Sequence, residues 1–240
     1  DLQISQDGKV VVSHDAYFNS RYATRPDGSE VKSGDPKEYL YTMPYSTIAK
    51  YDVGKRPSPD WPGKEQSPAI KPLATELIDS VENYVKANGL DPMRYNIEIK
   101  CRKGKDEGKN WPEYHEFVDK CMELLLSKNL GDRLVVQCID PRALNYMHEK
   151  YPQVKLSYLI RKMDTDWDTY MGRLNFTPDW LSPEFVIVDQ TMVDNCRKAG
   201  IRLVPWTVDN EADIRRILDP HVEAIITNYP DRVLKITRGY

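Results

Sequence analysis

A chain of 240 residues with 30% charged and 40% hydrophobic residues has the material for one large α/β domain. No stretch approaches the roughly 20 apolar residues that a bilayer-spanning helix needs, so no integral membrane segment is expected. A net charge of −3 leaves no basic footprint, which argues against nucleic acid as a partner.

The first predicted element is a hairpin. Leu2 to Ile4 and Val10 to Ser13 are short apolar runs either side of Gln6-Asp7-Gly8, and Asp-Gly is a strong turn signal. Such a hairpin returns His14 to the side of Asp1. The stretch 17–68 that follows is rich in Pro, Gly, Ser, Tyr and Lys and shows little periodicity. Long irregular segments inside compact domains are usually functional, and this one follows a strand, which puts it on the side where barrel active sites are built.

From residue 96 the pattern becomes regular. Apolar, β-branched runs at 96–100, 133–137, 154–159, 184–189, 201–206 and 223–227 read as strands covered on both faces. Amphipathic stretches separate them. Pro72, Pro112 and Pro141 suit first helical turns, Asp140 suits an N-cap, and Gly89 and Gly200 suit C-terminal caps. After Pro72, the residues Leu73, Leu77, Val81 and Tyr84 recur at helical spacing and are expected to face the core. Alternating βα units imply a parallel sheet. With Leu2 to Ile4 the strands number seven, one short of a TIM (β/α)8 barrel, and the first strand is the one without a counterpart. The expected organisation is a single barrel domain over 1–240, with a segment ahead of residue 1 supplying that strand and 17–68 as a long loop region on the active-site side.

Glu98 and Lys100 are two residues apart on one strand, so their side chains point the same way. Such an acid and base can take a metal and an anion, or simply form a buried salt bridge. His14 at the hairpin end can act as general acid or base near neutral pH, or be structural. His115, His148 and His221 fall on helices or strand starts and read as structural. Cys101, Cys121, Cys138 and Cys196 form no CxxC pair and read as small core residues.

At this point the residues resemble a family. The opening run from Asp1 through Asp7-Gly8 to His14-Asp15 is similar to a motif block of glycerophosphodiester phosphodiesterases, in which a metal-binding Glu-x-Asp leads through an Asp-Gly turn to a catalytic His-Asp. Glu98-Ile-Lys100 matches the family's Glu-x-Lys. The likeness continues in order through Tyr51-Asp-Val-Gly54, Lys71-Pro-Leu73, Gln137-Cys-Ile-Asp-Pro141, Trp206-Thr-Val-Asp209 and Ile226-Thr-Asn-Tyr-Pro-Asp231. The family's first block, a His-Arg-Gly strand and a Pro-Glu-Asn-Thr helix start, has no counterpart here, and with it go one catalytic histidine, a phosphate-binding arginine and the Glu of Glu-x-Asp. Cys138 stands where Ser is common and Asn228 where Asp is common.

The resemblance implies a metal-dependent phosphodiesterase that hydrolyses a small-molecule glycerophosphodiester to glycerol 3-phosphate and an alcohol. It implies that Asp1 and Glu98 hold one divalent cation, Mg²⁺ or Ca²⁺, that Lys100 meets the phosphate, and that His14 protonates the leaving oxygen. Trp206 packs against the glycerol carbons on this reading, or is a rim aromatic of the core. Two other readings stand beside it: a sphingomyelinase D-like phospholipase acting on membrane lipid, and a non-catalytic barrel scaffold. Cytoplasmic and periplasmic or secreted placement, and any oligomeric state, are compatible with the sequence.

Overall fold

The structure, a computed structural model, describes residues 1–61, 63–104, 107–218 and 222–238. His221 lies outside them. The chain forms two compact units, residues 1–133 and 134–240.

The first unit opens with the expected hairpin. Strands β1 (Leu2–Ile4) and β2 (Val10–Val12) pair antiparallel in the register Leu2↔Val12, Gln3↔Val11, Ile4↔Val10. Gly8 turns the chain at φ +73°, a conformation that costs glycine nothing. The turn is held by Ser5 Oγ, which accepts from Lys9 N at 3.0 Å and donates to Asp7 Oδ1 at 2.6 Å. All three residues of β1 are buried, so this strand is covered on both faces. Ser13 N donates to Asp1 O at 3.0 Å and extends the pairing to the residue before His14.

The segment 17–68 lacks periodicity but builds a core against β2. Val11, Phe18, Ala23, Val31, Leu40, Ile48 and Tyr51 form one buried cluster, in which the Phe18 and Tyr51 rings stack at 3.7 Å. The short helix α1 (Tyr45–Ile48) contributes Ile48. Arg25 bonds Asp35 and Glu38 at 2.7 Å each, and Tyr51 Oη donates to Glu38 at 2.6 Å. Gly54 closes the segment against residues 67–69: a Cβ there would collide with Ser67 O and lie 2.8 Å from Ala69 Cβ. These contacts join residues far apart in the chain, and local pattern cannot report them.

Helix α2 (Ala74–Ala87) buries Ala74, Ile78 and Val85. Leu77 is 43% and Tyr84 64% exposed, which corrects the expectation that they face the core. Apolar residues lie on more than one face of this helix, and the face that packs is decided by its neighbours. Strand β3 (Tyr95–Glu98) and helix α3 (Tyr114–Ser127) complete the unit. Gly89, at φ +61°, ends α2 where its sequence position suggested.

In the second unit, strands β4 (Leu134–Cys138), β5 (Lys155–Ile160), β6 (Trp180–Pro183) and β7 (Arg202–Leu203) pair in parallel in that order. Helices α4 (Pro141–Lys150), α5 (Trp167–Met171), α6 (Gln190–Ala199), α7 (Glu211–Leu218) and α8 (Pro230–Arg238) alternate with or follow them. Asp140 caps α4, its carboxylate accepting from Arg142 N at 3.0 Å, with Pro141 at the first helical position. Gly200, at φ +71°, ends α6. All four cysteines are buried.

Two expected strands are misplaced. The run 184–189 is not a strand: the strand is Trp180–Pro183, followed by a 3-10 turn Phe185–Ile187 with Val186 52% exposed. The partner decides this. β5 ends at Ile160, whose ladder position pairs with Pro183, and Glu184 N makes the last bond to Ile160 O at 3.0 Å. The run 223–227 is extended but irregular. Its bonds, Glu223 N to Leu203 O and Ile226 N to Pro205 O, are spaced by three residues, which breaks the two-residue period of a ladder. Near 201–206 the regular strand shrinks to two residues, although Val204 N and Trp206 N still bond β6 at 2.9 Å each.

Candidate active site

The site assembles in the first unit, where β1 meets the end of β3. Leu2 and Ile99 form a parallel bridge, and this brings Asp1 alongside the end of β3. Glu98 is the last residue of β3 and only 7% exposed. Lys100 lies two residues further on and points to the same side, as strand alternation requires. Its Nζ stands 2.8 Å from Glu98 Oε2 and 3.5 Å from Asp1 Oδ1. One ammonium therefore sits against two carboxylates, and the cluster has a buried partner in Glu98 and a more exposed one in Asp1.

His14 and Asp15 follow β2. The His14 side chain is 72% exposed, and its Nδ1 lies 3.0 Å from Asp15 Oδ1. Asp15 Oδ2 accepts from Asn19 Nδ2 at 2.8 Å and Tyr22 Oη at 3.3 Å. The bond from His14 is the main reason the Asp15 carboxyl is held down at about 2, against the opposing effect of burial. Burial first, and then the Asp15 charge, push the Tyr22 hydroxyl up. An ionised Asp15 can only accept, so the imidazole carries its proton on Nδ1 toward Asp15 and presents Nε2 as the nitrogen that can exchange one.

Beneath this pair lies Lys71, just ahead of α2. It is 5% exposed, and its Nζ donates to Ser13 Oγ at 2.7 Å. Ser13 Oγ in turn donates to Asp15 O at 2.6 Å. Burial lowers the Lys71 ammonium to about 8, opposed by the Asp15 charge. The sequence offered no signal for Lys71, Ser13, Asn19 or Tyr22 beyond the place of Lys71 in a block of the family resemblance. Lys71 reaches Ser13 from another part of the chain, whereas Asn19 and Tyr22 follow closely after the Asp15 that they bond.

Of the residues singled out from sequence, Asp1, Glu98 and Lys100 meet through their side chains. His14 follows Ser13, whose N bonds Asp1 O at 3.0 Å, and its own carbonyl accepts from Gln3 Nε2 at 3.4 Å. Trp206 belongs to the second unit, where its Nε1 donates to Ser182 O at 2.9 Å. His115 and His148 are exposed residues of α3 and α4.

Among the described residues no group of three or more His, Cys, Asp and Glu side chains forms a metal-ligand arrangement. The fit to a divalent cation rests instead on Asp1 and Glu98. Both carboxylates already converge on a positive charge, and hard oxygen donors of this kind suit Mg²⁺ or Ca²⁺, of which Mg²⁺ commonly takes one or two carboxylates and keeps several waters. Among the described residues no helix is long and apolar enough to cross a membrane.

Parallel βα units with a carboxylate–lysine cluster and a His-Asp pair at strand ends define the class: an α/β protein with an acid–base site. The comparisons narrow it. Residues 1–232 match the model of the glycerophosphoryl diester phosphodiesterase family, and the chain belongs to that family. Its fold class is the family's TIM barrel. It is 25% identical to a glycerophosphodiester phosphodiesterase of Bacillus subtilis over 248 residues, covering 100% of this chain and 76% of that one. Among solved structures it is similar to a putative glycerophosphoryl diester phosphodiesterase of Silicibacter pomeroyi, with TM-score 0.81 and 20% identity, covering 98% and 81% of the two chains. An Oleispira antarctica phosphodiesterase solved with its product sn-glycerol-3-phosphate matches with TM-score 0.72 and 21% identity, over 98% and 82%.

Proposed function

We propose that this protein is a metal-dependent enzyme that hydrolyses glycerophosphodiesters to glycerol 3-phosphate and an alcohol, working as one phosphodiesterase domain. The observation that carries the reading is the Asp1–Lys100–Glu98 cluster on the same hairpin-and-strand frame as the His14–Asp15 pair. Family membership supports it, as do the activity named for the Bacillus subtilis relative and the product bound to the Oleispira protein.

Asp1 and Glu98 would hold the Mg²⁺ or Ca²⁺ ion. When bound, the cation supplies positive charge against the nonbridging phosphate oxygens. Lys100 adds a second positive donor for the same phosphate once it is released from its carboxylate partners. His14 gives the proton on Nε2 to the alcohol oxygen as the phosphorus–oxygen bond breaks, while Asp15 keeps the ring oriented through Nδ1 and stabilises the charged imidazole. The attacking oxygen is water, which gives glycerol 3-phosphate directly, or the neighbouring hydroxyl of the glycerol, which gives a cyclic phosphate that water then opens to glycerol 3-phosphate.

The experiment is release of glycerol 3-phosphate from glycerophosphocholine with Mg²⁺, with Ca²⁺ and with EDTA. Release that EDTA abolishes is the expected result. Release that survives EDTA overturns the metal dependence, and no release from folded, metal-supplied protein overturns the activity.

A further inference from the structure

The feature that the proposed chemistry leaves unused is a lysine where a lysine is costly. Lys71 is 5% exposed, and among the described residues its ammonium has one hydrogen-bond acceptor, Ser13 Oγ at 2.7 Å. The Phe18 and Tyr22 rings stand at 5.5 and 5.9 Å from Nζ, and Asp15 is the charged group that acts on it. Removing a compact, strongly hydrated charge from water is expensive, and a methionine of similar volume would fill the same space without that cost. Packing therefore does not explain the residue.

Its contacts lead to one place. A protonated lysine can only donate, so Ser13 Oγ must accept from it and send its own proton elsewhere. That proton goes to Asp15 O at 2.6 Å, closing the main chain over His14 from residue 13 to residue 15. The same charge acts through space on the Asp15 carboxylate, whose Oδ1 engages His14 Nδ1 at 3.0 Å. The His14 side chain is largely exposed, so its direction depends on the Asp15 bond and on the turn that carries both residues.

We propose that Lys71 is a positioning residue for His14: through Ser13 it locks the 13–15 turn and favours the ionised Asp15 that orients the imidazole. It touches no substrate. The inference rests on the reading of His14 as the proton donor to the leaving alcohol, and the test separates the two.

Kinetics are compared on two substrates. Choline leaves glycerophosphocholine as an alkoxide that needs a proton, whereas p-nitrophenolate leaves the p-nitrophenyl ester of glycerol phosphate without one. His14→Ala should lose roughly 10²–10⁴-fold in kcat on the choline ester and far less on the aryl ester. Lys71→Met should show the same signature at smaller scale, roughly 10–100-fold on the choline ester, the scale seen when groups that orient reacting or metal-bound histidines are removed. Its KM should stay within about twofold, because an interaction used only in the transition state is lost. Ser13→Ala should reproduce the effect, and the double variant should be no worse than either single one, since both cut the same path. Lys71→Met should also melt no lower than the parent. Full kcat on the choline ester, equal losses on both esters, or additive losses in the double variant would overturn the role of Lys71. Equal losses on both esters for His14→Ala would instead overturn the assignment of His14, and that of Lys71 with it.

Discussion

Glu98 Oε2 accepts a 2.8 Å hydrogen bond from Lys100 Nζ, two residues further along the chain, and the same ammonium stands 3.5 Å from Asp1. The acid is nearly inaccessible and the base only slightly less so, with side-chain exposures of 8% and 18%. A buried charge is tolerated when compensated and costs about 3–5 kcal/mol when its partner is removed. The arrangement thus gathers two carboxylates around one ammonium at the end of β3.

Glu98→Gln removes one of those charges while keeping shape and hydrogen-bonding capacity. Divalent-cation affinity should fall at least tenfold, whereas the melting temperature without metal should move little, because Lys100 keeps Asp1 as a partner. Calorimetric titration against Mg²⁺ and Ca²⁺ checks this, and unchanged affinity for both would remove Glu98 from the ligand set.

His14→Ala deletes a largely exposed ring whose side-chain bond is to Asp15, so the fold should survive and turnover should fall about 10²–10⁴-fold. Circular dichroism and the glycerophosphocholine assay measure the two together. A variant keeping most of its kcat would show that the proton comes from elsewhere.

Asp15 gives a pH dependence with a definite sign. Its carboxyl is held at about 2 in the folded protein, below its ordinary value of 3.8. A group depressed on folding adds stability above its unfolded pKa and loses it as pH falls through the folded one. The melting temperature of the parent should therefore exceed that of Asp15→Asn near pH 5, and the margin should close as pH falls between about pH 4 and 2. A margin that does not change with pH would mean that the His14–Asp15 pair contributes nothing through charge.

How much was legible from sequence differs between residues. Asp7-Gly8 announced a hairpin because only a few residue types accept its turn, and the structure has that hairpin with Gly8 at φ +73°. Asp140-Pro141 and Gly200 announced helix ends for the same local reason, and both are there. By contrast 184–189 was apolar enough for a strand and became a turn, because β5 had already ended at Ile160. Leu77 and Tyr84 fit the helical period of α2 yet face solvent. Periodicity says that a face exists, and only the neighbouring elements say which face is covered.

The sequence by itself determined the elements whose chemistry is local: the Asp-Gly turn, the capped helices, the parallel βα alternation, and the same-side placement of Glu98 and Lys100 by the two-residue period of a strand. The ordered motifs also sufficed to name the family. Tertiary structure alone decided that 17–68 packs around Phe18 and Tyr51, that one lysine balances Asp1 and Glu98, and that Lys71 reaches Ser13 from 58 residues away beneath the turn carrying His14. The reason is physical: turn and cap preferences act over a few bonds, whereas burial and charge compensation act between whatever residues the fold brings within about 4 Å, whatever their separation in the chain.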